Sequence, residues 1–171
     1  MPAHVFVDES KTRGLLMAAT ACGAAEVNAH RRTMASLLLP RERRIHFTKE
    51  APARRRKILG VIAEFDLAVR LYQAEKNNAA GRKACLIAVV RDIADSAERL
   101  VIERDETTTT FDKQVLFHAA REHGCSDSLQ YELLAAHADP LLWIPDAVAW
   151  SWVKGGEWRE LVAPYSTLVR V

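Results

Sequence analysis

The stretch from Ala79 to Glu103 constrains this chain more than any other. From Ala79 to Arg99 the apolar residues Leu86, Val89, Val90, Ile93 and Ala97 recur at helical intervals, which predicts a long amphipathic helix. Leu100-Val101-Ile102 follows without a break. Three apolar residues in a row, where a half-exposed strand would alternate, mark a strand covered on both faces. A helix that feeds such a strand needs a sheet with cover on each side, which selects the α/β class.

The remaining pattern fits that class. His4 to Asp8 and Gly14 to Cys22 read as a β-hairpin across the turn-like Glu9-Ser10-Lys11-Thr12, and Glu26 to Leu38 reads as a helix ended by Pro40. A short extended piece covers Ile45-His46-Phe47. Thr48 then stands as a cap for a helix near Pro52 that carries Ile58, Leu59, Ile62 and Phe65. Asp66 to Gln73 alternates like a third strand with one wet face, and Asn77-Asn78 breaks the chain before the long helix.

Leu100 to Glu103 is the fourth strand, Phe111 to His123 a helix stopped by Gly124, and Leu129 to Leu134 the fifth strand. A helix from Ile144 to Val153 is stopped by Gly155-Gly156, and a short segment covers Trp158 to Val162. With no repeat and no linker, one α/β domain over 1–171 with a mixed five-stranded sheet is expected. The hairpin pairs antiparallel, and the third and fourth strands should be parallel or one neighbour apart.

Charge and cysteine usage narrow the function classes. The 171 residues hold 24 basic and 22 acidic side chains, net +2, too mild a balance to demand a nucleic-acid partner by itself. Cys22, Cys85 and Cys125 lie far apart without a C-x-x-C pair, so neither a disulfide framework nor a zinc site is expected, and a reducing compartment fits. The opening residues lack a basic run before an apolar stretch, and no apolar run approaches the ~20 residues of a membrane helix. A cytoplasmic protein without a membrane partner is therefore expected. Phosphate-loop, dinucleotide, serine-hydrolase and zincin motifs are absent.

Three acids stand where chemistry is possible. Asp8 closes the first strand inside an apolar stretch, a position that suits both a hairpin turn and a functional strand end. Glu103 follows the fourth strand directly, ahead of Asp105 and Glu106; open α/β sheets place ligands at such ends, although a solvated loop has the same composition. Asp146 is the only acid between Asp139 and Glu157 and follows Pro145, so it serves equally as a first-turn helix acid. If the hairpin and the Leu100 strand are neighbours and the last helix crosses their ends, the three carboxylates converge. Converging carboxylates repel, a divalent cation resolves the repulsion, and hard oxygen donors select Mg²⁺ or Mn²⁺ over zinc.

Other residues carry weaker signals. His46, ahead of a helix, fits a general acid, a phosphate contact or a metal ligand as well as a structural loop residue, whereas His118 and His123 read as surface residues. Arg41 to Lys57 holds eight basic residues against Glu42 and Glu50, net +6 in 17 positions. Arg43, Arg44, Lys49, Arg54, Arg55 and Arg56 could thus contact a phosphate backbone, or simply form a solvated face. The four tryptophans read as core before base-stacking.

Together, Phe6-Val7-Asp8-Glu9-Ser10, Ile45-His46-Phe47, Leu100-Val101-Ile102-Glu103 and Pro145-Asp146-Ala147-Val148-Ala149 resemble the ribonuclease H-like superfamily, and within it the domain of unknown function 3800 family. The resemblance spans nearly the whole chain. It implies a ribonuclease H-like sheet and a divalent-metal-dependent nuclease or related phosphoryl-transfer enzyme acting on nucleic acid. Asp8, Glu103 and Asp146 would be its catalytic metal ligands, with Glu9, His46, Asp105 and Asp112 as supporting groups. Glu103 and Asp105 share strand parity, and Glu103 is taken because it follows the strand directly. The rival expectation is a non-catalytic binding or interaction module on the same fold.

Overall fold

In the computed structural model, which describes residues 2–171, β1 (Ala3–Ser10) pairs antiparallel with β2 (Leu15–Gly23), so that Asp8 faces Ala18 across the ladder. The hairpin turn depends on Gly14, whose φ of +68° is a left-handed value that costs glycine little. On β2's other side lies β3 (Ala68–Ala74), antiparallel. On β1's other side lies β4 (Ala97–Glu103), parallel, followed outward by parallel β5 (Gln130–Leu134). A sixth strand, β6 (Ser166–Arg170), runs parallel to β3 at the far edge, giving the order β5-β4-β1-β2-β3-β6.

Helices cover both faces. The helices α3 (Ala79–Ile93) and α4 (Thr109–Glu122) bury Cys85, Leu86, Val89, Val115 and Leu116 with Val5 and Val7 of β1. On the other face, α1 (Val27–Ala35), α2 (Pro52–Glu64), α5 (Trp143–Lys154) and α6 (Gly156–Val162) bury Met34, Ile58, Ile62, Trp143, Val148 and Trp158 with Phe6, Leu16 and Ala18. Side chains alternate across a strand, so β1 feeds odd-numbered residues to the first core and even-numbered residues to the second. Leu100, Val101 and Ile102 are all buried, as their continuous run predicts.

Several expectations change. The sheet has six strands rather than five, because the amphiphilic tail 166–170 completes the β3 edge after α6, the helix formed by 156–162. The third and fourth strands run in the same direction but lie two strands apart, since both hairpin strands are inserted between them. The long helix stops at Ile93: Ala97 and Arg99 pair with Ala3 and His4 of β1, a tertiary contact that the helical spacing of Ala97 conceals. Thr48 does not cap α2. It lies in a 3₁₀ turn over Phe47–Lys49, and Ala51 stands at the N-cap ahead of Pro52. The wet face of β3 is confined to its first half, because α3 covers Tyr72 and Ala74.

Candidate active site

The parity of β1 sends Asp8 to the Phe6 face, and that of β4 sends Glu103 to the same face as Val101. Helix α5 crosses this face over β1 and β2 with Asp146 in its first turn. Three segments far apart in sequence thus bring three acids to the carboxyl ends of the central parallel strands, the usual ligand position of open α/β sheets.

The environment of these acids is apolar and crowded. Asp8 is 8% exposed, and its carboxyl binds a proton far more readily than an ordinary aspartate. Burial is the first cause, followed by a hydrogen bond with the Glu103 carboxyl and the charges of Asp146 and Glu103; the Glu9 N–H, which donates to Oδ1 at 2.7 Å, opposes them. Asp146 is pushed up to about 6, chiefly by burial and further by Glu103, against the Arg44 charge and the Phe47 N–H, which donates at 3.4 Å.

Arg44 spans the pair, 3.7 Å from Glu103 Oε1 and 3.9 Å from Asp146 Oδ2. The acid oxygens do not all fall within 4.8 Å of one another; among the described residues only Cys22, Glu26 and His30 meet that spacing. As donors, three carboxylates suit a hard divalent cation, whose place as counter-charge the guanidinium partly takes. His46, just ahead of the 3₁₀ turn, has its proton affinity lowered by burial and by Arg44 and Lys49, with Glu103 and Glu50 opposing.

The other predicted acids are engaged elsewhere. Glu9 and Asp112 lie on the opposite face of the sheet, both bonded to Arg82; Arg82 reaches Asp112 through Nε and Nη2, each at 2.7 Å. Asp105 accepts from Lys11 Nζ at 2.6 Å and from Thr107 N–H and Oγ1, contacts that hold its carboxyl well below the usual range, with Lys11 the largest cause. Arg82 was not singled out in the sequence, because it stands beside Lys83 near the start of α3 and nothing in that pattern tells which of the two turns inward.

The basic segment divides in the same way. Arg54 bonds Glu50 at 3.0 Å and the Leu37 carbonyl. Arg55 donates to the Phe47 carbonyl at 3.0 Å and lies 4.1 Å from the Trp150 ring centroid. Arg56 pairs with Glu157 at 2.9 Å. Arg43 and Lys49 are exposed and, among the described residues, make no ion pair. Next to the end of β1, Ser10, Thr12, Arg13, Trp150, Val153 and Lys154 line a cleft of about 340 Å³ that sequence reasoning missed, since hairpin and α5 meet only in the fold.

These features define a ribonuclease H-like α/β fold with an acidic centre at its strand ends. The chain is similar to a chain of the solved complex of PCNA and RNase HII from Archaeoglobus fulgidus, with a TM-score of 0.55 and 14% identity over 87% of this chain and 69% of that one. No protein-family model and no curated protein matches it. No helix among the described residues is long and apolar enough to cross a membrane.

Proposed function

We propose that residues 1–171 form a single ribonuclease H-like domain, akin to the domain of unknown function 3800 family, that acts in the cytoplasm as a divalent-metal-dependent nuclease or related phosphoryl-transfer enzyme. The observation that carries this reading is the burial of Asp8 and Asp146 beside Glu103, which raises both carboxyls. A fold that gathers acids in an apolar site without pairing each one leaves a demand for positive charge. Asp8, Glu103 and Asp146 would hold Mg²⁺ or Mn²⁺. Such ions activate water and stabilise a leaving oxygen when bound.

The surroundings fit a polyanionic substrate. Arg13 and Lys154 at the cleft, with exposed Arg43 and Lys49, would contact phosphates, which positions a nucleic acid without reading its sequence. Arg44 would turn from the acids toward a phosphate as the cation enters. His46, whose lowered proton affinity keeps it neutral at pH 7, would exchange a proton at a free ring nitrogen. One observation favours the second reading, a non-catalytic nucleic-acid-binding module: Arg44 already supplies charge to Glu103 and Asp146.

Thermal unfolding with Mg²⁺ or Mn²⁺ tests the proposal, because a cation that binds only the folded state stabilises by RT ln(1 + [L]/Kd). Wild type should gain stability with rising cation, Asp8→Asn should lose most of that gain, and end-labelled DNA or RNA should be cut only with cation present. Equal gains in wild type and variant would overturn the metal assignment. A cation response without cleavage would select the binding module.

A further inference from the structure

At the other end of the hairpin from Asp8, a second group of metal-binding side chains meets. Cys22 lies one residue before the end of β2, opposite His4 of β1. The chain then turns sharply, closed by the Glu26 N–H donating to the Gly23 carbonyl at 2.9 Å, and enters α1 with Glu26 at its N-cap. One helical turn later stands His30. Residues four apart share a helix face, so Glu26 and His30 both look down on Cys22. One ligand atom from each of the three lies within 4.8 Å of the other two.

The histidine is the informative member. His30 Nε2 is buried and has no hydrogen-bond partner, although Glu26 Oε2 lies 3.4 Å away. A buried ring nitrogen left unpaired is costly. The Phe65 ring packs against the imidazole, with centroids 4.2 Å apart. Cys22 is buried beneath α1, whereas the Glu26 side chain is largely exposed and free to swing in.

We propose that Cys22, Glu26 and His30 form a zinc site that fastens α1 to β2. A thiolate, an imidazole and a carboxylate form a donor set for Zn²⁺ rather than Mg²⁺, because the sulfur is soft. Tetrahedral coordination with bonds of about 2.0–2.3 Å sets ligand atoms roughly 3.3–3.8 Å apart. The exposed Glu26 carboxylate can move the remaining distance. Three protein ligands leave a fourth position for water, on the side from which Glu26 faces solvent. The spacing Cys-x₃-Glu-x₃-His lacks the paired cysteines of the familiar zinc motifs, which is why cysteine arithmetic finds no site here.

Cobalt(II), a spectroscopic substitute for zinc, provides the test. Titration of the full chain with Co²⁺ should give tetrahedral visible bands and a thiolate-to-cobalt band in the near ultraviolet, saturating at one equivalent and bleached by Zn²⁺. Cys22→Ser should lose the thiolate band, while Cys85→Ser, Cys125→Ser and Asp146→Asn should retain it. His30→Gln should weaken Co²⁺ binding by at least about tenfold, since even the groups that support a metal ligand are worth about ten- to a hundredfold. The proposal fails if no thiolate band develops at millimolar Co²⁺. It also fails if the band survives in Cys22→Ser or binding is unchanged in His30→Gln. Retention of the band in Asp146→Asn separates this outcome from the fate of the acidic centre.

Discussion

With its carboxyl pushed up to about 6, Asp146 makes the stability of the cation-free protein fall as pH rises. The folded state binds more protons than the unfolded chain between the ordinary aspartate value and about 6. Stability is therefore greatest below that window and is lost progressively through it. A shift of this size corresponds to about 2–3 kcal/mol. Asp8, buried beside the charges of Asp146 and Glu103, acts in the same direction. In buffer with chelator, Asp146→Asn should be more stable than wild type at pH 7 by about 1–3 kcal/mol and show a flatter profile from pH 4 to 6. Urea unfolding at pH 4.5 and pH 7 measures both. A variant less stable than wild type at pH 7 would mean that the ion pair with Arg44 outweighs the burial cost. Residue by residue, Asp8 and Asp146 stood out in the sequence as acids in apolar stretches, and Glu103 as the acid that directly follows a buried strand. The partners of Glu9, Asp112 and Asp105 were not, because Arg82 and Lys11 reach them across 73, 30 and 94 positions of sequence.

At the level of elements, the β1–β2 hairpin is the most exacting piece. A Cβ at Gly14 would lie 2.6 Å from the Ala74 and Glu75 carbonyl oxygens, both backbone atoms that cannot turn aside, and the φ of +68° disfavours any other residue. Gly14→Ala should cost roughly 2–4 kcal/mol, combining backbone strain with the displacement of the β3 end. For a chain of this length that is a fall in Tm of roughly 5–15 °C. A loss below 1 °C would show that the hairpin tip relaxes freely. Apolar runs revealed β1, β2 and β4, and helical spacing with stop signals revealed the long helices. These patterns failed at Ala97, where a residue on the helical stripe belongs to a strand, and at 166–170, whose few apolar residues become a strand only because β3 offers an unpaired edge. The basic segment shows a similar limit. Its net charge was visible, but Arg54, Arg55 and Arg56 bind carbonyls, an aromatic ring and acids brought near by folding.

For the molecule as a whole, Arg82 joins α3, α4 and β1 through Asp112 and Glu9, with Asp112 fully buried. Removing one member of a buried ion pair strands its partner and typically costs about 3–5 kcal/mol, whereas replacing the pair by apolar residues is often near neutral. Arg82→Met should therefore be severely destabilising, and adding Asp112→Leu should restore most of the loss, as measured by chemical unfolding. Similar damage in the single and double variants would mean that Glu9 and the strand end need the guanidinium itself. The sheet makes such effects local. It divides the interior into two apolar compartments that share strands but almost no side chains, and changes at well-separated sites act nearly independently. Over evolutionary time each compartment can exchange its residues without waiting for compensation in the other. Two chains can then share a fold of this kind at 14% identity.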